Sequence, residues 1–344
     1  MISCLSSNKV EEKDEAMENL IRNGGMLLEK STAFTNGKGH SIGRSFSLRD
    51  LNIATHNFDR NLEILYVGTY ALYKGSLRDR LVIVKKYLYT DLTQACISDI
   101  VFSSQMKVHK NVLTLLGCCL ESSIPILVFE YAEKESLDRY IFNRGNRANF
   151  LPLSWKIRLK IAVDLANVIA YLHTAFSRPV VHRDIKLSSI LLDEDYGAKV
   201  SDFSCSIALP EGETHIKDQN EPRGSYGYIA PEILESDSMF NEKVDVYSYG
   251  LVLLVLLTRR YRGHPPPYGA EYLDLIVVKN LMENDGLEEI IDPTIVEEGP
   301  WPGKEQHLKA FTTLALHCTR EDPEDRPEIT DVGKQIRQMY QSLI

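Results

Sequence analysis

Between residues 155 and 173, apolar side chains fall at Ile157, Ile161, Leu165, Val168, Ile169 and Leu172, the 3.6-residue period of a helix with one buried face. Ahead of it the pattern is different. Residues 62–74, 81–87 and 124–131 read as strands, and Leu81-Val82-Ile83-Val84 runs apolar without a break, as a buried strand does. Beyond the helix, residues 244–257 and 307–318 are two more apolar helices, with a Pro/Gly-rich loop over 263–269 between them. A chain that changes period once, in a hinge over 132–136, folds as a β-rich lobe followed by a larger helical lobe. The boundaries read this way are a leader over 1–45, a small lobe over 46–131 and a large lobe over 132–344.

The leader differs in character. Val10, Met17, Leu20, Ile21, Leu27 and Leu28 fall at roughly helical spacing and predict a short amphipathic helix, interrupted at Gly24-Gly25. Such a helix either packs on the small lobe or docks a partner. Residues 35–43 read as a flexible linker.

Charge and cysteine usage narrow the function classes. There are 39 Lys+Arg against 48 Asp+Glu, a net charge of −9, with no basic block, so a nucleic-acid partner is disfavoured. Cysteines 4, 96, 118, 119, 205 and 318 lack CxxC spacing and a companion His cluster, which fits reduced thiols in a cytoplasmic protein. The N-terminus shows no apolar signal region. Ile2 precludes myristoylation, and Cys4 is a lone acceptor for palmitate. The longest apolar run, residues 249–257, is half a membrane span, so no transmembrane segment is expected.

Several short motifs recur in a fixed order. They are Leu72-Tyr73-Lys74-Gly75, Val84-Lys85-Lys86, Leu127-Val128-Phe129-Glu130-Tyr131, His182-Arg183-Asp184-Ile185-Lys186, and Asp202-Phe203-Ser204. Gly227-Tyr228-Ile229-Ala230-Pro231-Glu232, Asp245-Val246-Tyr247-Ser248-Tyr249-Gly250 and Asp325-Arg326-Pro327 follow. From Phe46 onward the chain resembles the protein-kinase domain of plant receptor-like kinases. The resemblance implies an α+β, bilobal kinase fold: a small antiparallel sheet lobe and a larger helical lobe. The short leader resembles receptor-like cytoplasmic kinases. Ala175-Phe176 and Ala208-Leu209-Pro210-Glu211-Gly212 are most similar to the pseudokinase branch related to the HopZ-ETI-deficient protein.

Against that family, parts of the phosphoryl-transfer apparatus are overwritten. Phosphoryl transfer depends on holding phosphates and magnesium in place rather than on covalent help. The three glycines of the phosphate loop fall at Leu65, Val67 and Tyr70, leaving only Gly68 beside them. Bulky side chains there block close backbone approach to phosphates. A β-hairpin is still expected. Lys85 matches the phosphate-binding lysine, but residues 64–120 contain no Glu to pair with it. Counting from His109 puts Ile100 at the Glu position. Asp99 is the nearest acid, and its pairing with Lys85 needs a rotated helix. Ser189 stands where an Asn holds the second magnesium, and Ser204 where Asp-Phe-Gly has its Gly. Asp202 can hold one metal at most, and Glu130 is a hinge position for nucleotide.

The substrate side is retained. Asp184 stands at the catalytic-base position and Lys186 at the phosphoryl-supporting one, while Arg183 is placed to bind an acid or phosphate from the activation segment. Glu232 and Arg326 match a structural ion pair, Asp245 a brace of the catalytic loop, and His182 and Phe203 a packed column. Thr214 and Ser225, in the activation segment, are candidate modification sites. Each lost electrostatic contact costs ~10²–10³ in turnover, so little useful activity is expected; weak ATP binding and doubtful magnesium binding are expected beside it.

The resemblance therefore implies a catalytically impaired adaptor in plant innate immunity. Its implied partners are a coiled-coil NLR receptor, receptor-like cytoplasmic kinases and a pathogen effector, with recruitment to the plasma membrane through them. A weakly active Ser/Thr kinase using Lys85, Asp184 and Asp202, and a nucleotide-gated switch, are the alternatives.

Overall fold

The computed structural model describes residues 2–35, 42–142, 152–217, 223–235, 239–262 and 271–343, with side chains described from Lys13 onward. Most of the expected linker, the loop at 263–269, and Val10 and Cys4 as side chains lie outside the described residues. The chain divides into two compact units. One holds residues 1–135 together with Ser201–Ser204; the other holds 136–200 and 205–344.

In the first unit, a six-stranded sheet runs in the order β1-β5-β6-β4-β3-β2. The strands are β1 (Arg44–Ser45), β2 (Glu63–Tyr66), β3 (Tyr70–Leu77), β4 (Arg80–Tyr87), β5 (Leu115–Cys119) and β6 (Ile126–Glu130). Five are antiparallel; β1 lies parallel to β5, with Arg44 opposite Gly117. The segment read as one strand over 62–74 is a hairpin. Val67 N–H donates to Tyr70 C=O at 3.1 Å, and Gly68 supplies φ +80° at the turn. Helix α2 (Leu48–Ala54) starts at Ser47, whose side chain accepts from Asp50 N–H, and Glu121 accepts from Leu48 N–H at 2.8 Å. Helix α3 (Thr93–Gln105) is buried through Cys96–Ser104.

The leader forms one helix, α1 (Ile2–Thr35), uninterrupted at Gly24-Gly25. Two mid-helix glycines cost about 1 kcal/mol each, an amount tertiary packing can offset. Here that packing is specific. Asn19 donates to Glu121 C=O, and buried Asn23 donates to Leu120 and Ser122 C=O at 3.0 and 2.8 Å. Lys30 reaches Ser98 Oγ at 2.6 Å, Phe34 packs edge-on against Phe102, and Leu27 is buried. The helix is thus fastened to α3 and to the β5–β6 turn.

The second unit is mainly helical. It contains α4 (Leu137–Phe142), α5 (Trp155–Thr174), α6 (Lys243–Thr258), α7 (Leu275–Glu283), α8 (Pro293–Glu297), α9 (Lys304–Cys318) and α10 (Ile329–Gln341). Ser154 caps α5, and Trp155 stacks edge-on against Phe311 at 4.8 Å. Every residue of α6 is buried, which explains its apolar run: the helix is central rather than membranous. Among the described residues no helix is long and apolar enough to cross a membrane.

Candidate functional site

In the first unit, Lys85 sits at the centre of a buried cluster. On β4, Lys85 and Tyr87 are two residues apart and so project from one face of the sheet. The Lys85 ammonium donates to Asp99 Oδ2 at 2.7 Å and to Asp202 Oδ1 at 2.8 Å. Tyr70 places its ring centroid 3.8 Å from the same nitrogen, and Tyr87 its own at 4.9 Å. Burial pulls the Lys85 pKa down, but Asp202 and Asp99 outweigh it and hold the amine above its usual value.

Asp99 is the hub. Besides Lys85 it accepts from Tyr87 Oη at 3.0 Å, Ser103 Oγ at 3.1 Å and Phe203 N–H at 2.9 Å. The position counted as the glutamate, Ile100, is fully buried among apolar side chains. Asp99, one residue earlier, is the acid of α3 that pairs with Lys85. Tyr87 and Ser103 were not singled out from sequence. Both were findable: Tyr87 shares a strand face with Lys85, and Ser103 lies one helical turn beyond Asp99.

The overwritten glycine positions are now filled volume. Leu65 faces Leu72 across the hairpin and is buried, Val67 is half-buried at the turn, and Tyr70 is buried over Lys85. Glu130 ends β6 and accepts from Thr114 N–H at 3.2 Å. Asp202 has a left-handed backbone, φ +68°, while Ser204 does not, so replacing the expected Gly introduces no left-handed strain at Ser204. Phe203 is fully buried.

In the second unit the catalytic-loop residues lie together. Lys186 Nζ donates to Asp184 Oδ2 and to Ser225 Oγ, the latter at 2.7 Å. Ser189 is fully buried, and its hydroxyl donates to Lys186 C=O at 2.8 Å; it closes the turn of the loop. Asp245 accepts from the N–H groups of His182 and Arg183, both at 2.8 Å, and meets His173 Nε2 at 2.9 Å. Burial pushes the Asp245 carboxyl up, but the hydrogen bond and charge of His173, then His182, outweigh it, and the net direction is down. Arg183, at φ +65°, donates from Nε to Cys205 C=O at 2.6 Å. Arg326 grips Glu232 with two parallel bonds of 2.5 and 2.8 Å. Of the two hydroxyls singled out for modification, Thr214 is exposed beside His215 Nδ1 at 2.9 Å, and Ser225 is engaged by Lys186.

Residues 72–336 match the protein kinase domain family. The chain is 37% identical to the serine/threonine-protein kinase ZRK1 of Arabidopsis thaliana, over 96% of this chain and 95% of that one. It is 38% identical to the non-functional pseudokinase ZED1 of the same plant, over 92% and 95% respectively. The non-functional pseudokinase ZRK2 shares 36% over 97% of this chain and 94% of its own length. Matches of that extent make the chain a member of the protein kinase family, in the receptor-like cytoplasmic kinase group that holds both kinases and pseudokinases.

Proposed function

We propose that this chain is a catalytically impaired pseudokinase that serves as an adaptor in plant immunity, joining a coiled-coil NLR receptor to receptor-like cytoplasmic kinases altered by a pathogen effector. The observation that carries the impairment is the saturated Lys85. Its ammonium is already shared between Asp99 and Asp202 and covered by the ring of Tyr70. Nucleotide phosphates would have to displace two carboxylates and a ring from a site whose own charges sum to −1, one lysine against two aspartates. Asp202 is spent on the lysine, and the Ser189 hydroxyl is spent on the loop backbone. The residues present do not fit a magnesium nucleotide.

The adaptor reading is supported by what is kept. The Asp245 brace and the Arg326–Glu232 clamp maintain a rigid second unit without catalysis. On α1, Met17, Ile21 and Leu28 are 56, 68 and 69% exposed, at helical spacings of four and seven, and form an apolar stripe available to a partner. Two of the similar relatives are named non-functional pseudokinases.

The second reading, a weakly active Ser/Thr kinase, draws on the retained Asp184–Lys186 pair and on the relative named a serine/threonine kinase. A thermal-shift titration of the full chain with ATP, with and without magnesium, separates the two when run beside radiolabelled autophosphorylation. No shift and no label are expected. A magnesium-dependent shift, with label that disappears in Asp184→Asn, would overturn the impairment. For the adaptor role, Ile21→Glu with Leu28→Glu is expected to reduce capture of a co-expressed coiled-coil NLR. Undiminished capture removes α1 from the interface.

A further inference from the structure

A cavity of about 240 Å³ opens in the second unit beside α7, α8 and α9, away from the residues described so far. Its floor is apolar: Met282, Leu287, Ile291, Val296 and Leu308. Leu287, Ile291 and Leu308 are nearly covered by their own chain, whereas Val296 stays 50% exposed at the opening. The shape is built by the backbone. After α7 the chain takes a left-handed step at Asp285, φ +54°, and Gly286 N–H donates back to Leu281 C=O at 2.8 Å. A side chain at Gly286 would begin 2.9 Å from Leu281 Cδ2, so the turn lies tight against the helix it ends.

The charges at the mouth are unequally committed. Lys304 is consumed by the carbonyls of Ile295, Val296 and Gly299, at 2.8–3.0 Å, which it caps at the end of α8. Lys309 pairs with Asp285 at 2.6 Å. Glu288 and Glu305 also line the opening, and among the described residues neither forms an ion pair. Glu305 adds to the field that raises the Lys309 pKa, behind the larger effect of Asp285. Three carboxylates against two engaged ammoniums leave the mouth net negative around an apolar floor.

Size and charge together select an occupant. Pockets for cofactors and drug-sized ligands run to about 300–1,000 Å³, so this one is small for them. It suits one bulky side chain, as interface anchor pockets do. The two uncommitted carboxylates favour a cation next to that side chain. We propose that this cavity is an anchor pocket for a partner protein, receiving one aromatic or branched aliphatic side chain with a Lys or Arg laid beside it against Glu288 and Glu305. The site is independent of the Lys85 cluster and stands whether or not the chain binds nucleotide.

The test uses the full chain carrying ¹³C-labelled methyl groups on Met, Ile, Leu and Val. The probes are two acetylated, amidated tripeptides, Trp-Lys-Lys and Trp-Glu-Glu. The basic peptide is expected to shift the methyls of Met282, Ile291, Val296 and Leu308, with binding about ten-fold tighter than the acidic one, as two exposed charge pairs supply. Raising salt from ~0.05 to ~0.5 M should erase most of that difference. Val296→Trp, a change at a half-exposed wall position that plugs the opening, should abolish the shifts. Glu288→Lys with Glu305→Lys should reverse the peptide preference while the methyl spectrum stays folded. Unmoved methyls at millimolar peptide, or equal response to both peptides, would overturn the proposal. So would self-association of the wild-type chain that Val296→Trp removes, because the occupant would then be a second copy.

Discussion

Tyr70 lays its ring 3.8 Å from the Lys85 ammonium, so one residue, at a position the resemblance gives to glycine, covers the buried lysine. Tyr70→Ala should empty the buried site and cost about 3 kcal/mol, the usual range for deleting a core aromatic. Tyr70→Phe keeps the ring over the ammonium and should cost less than ~1 kcal/mol. Urea denaturation of the two variants beside wild type checks the difference.

The pairing of Lys85 with Asp202 and Asp99 gives stability an alkaline limit. The Lys85 pKa is raised in the fold above its ordinary 10.5. A raised folded value means the stabilisation is fully present below the unfolded pKa and is lost as pH rises through the folded one. Wild type should therefore lose stability above pH 10.5, beyond the general alkaline loss seen in a variant without the pair. Asp99→Ala should cost about 3–5 kcal/mol near neutrality, since it strips a buried charge network of its hub, and should shallow that alkaline limb without removing it, because Asp202 stays. Melting temperature measured from pH 7 upward would show it. Parallel curves for the two proteins would refute the assignment.

Arg326 and Glu232 form a two-pronged pair, with the Arg326 side chain fully buried. Arg326→Lys presents a point charge where a planar fork is needed, so it is not conservative here. We expect Arg326→Ala to cost about 3–5 kcal/mol and Arg326→Lys to recover less than half of that. Denaturant midpoints rank the three proteins.

Gly250 lies where α6 meets α9. A Cβ there would begin 2.6 Å from Cys318 Cβ and 2.9 Å from Ala315 C=O. Gly250→Ala raises helix propensity yet should destabilise by about 1–3 kcal/mol, because overpacking outweighs the propensity gain. A gain in thermal stability would mean the two helices can move apart at no cost.

Short-range spacing carried much of the sequence reading. Asp184 and Lys186 lie in one short motif, and the helices over 155–173 and 244–257 announce themselves by period or by unbroken apolarity; Asp245, 63 residues from His182, was placed on the catalytic loop by family resemblance and not by spacing. Features that depend on three-dimensional balance were harder to read. Two glycines argued for a break in α1, but the hydrogen bonds of Asn19 and Asn23 to a turn about a hundred residues away are invisible to local propensity. The absence of any Glu between residues 64 and 120 left Asp99 as the acid able to reach Lys85, and the two do pair; that Tyr87, Ser103 and the Phe203 N–H converge on the same carboxylate was not legible. The hairpin inside 62–74 was expected, and Gly68 marks its turn.

Strand β1 is two residues long, yet it lies along β5 at the side of the sheet that would otherwise end there. Its approach is so close that any side chain at Gly117 would start 1.9 Å from the Arg44 carbonyl oxygen. A sheet that ends in bare N–H and C=O groups recruits strands from other molecules. By laying two residues of its own leader over that border, the chain covers an edge that other strands could otherwise pair with. Arg44→Pro with Ser45→Pro, which strips the N–H groups from β1 and leaves α1 in place, would therefore show itself first on storage, as slow clumping in the tube.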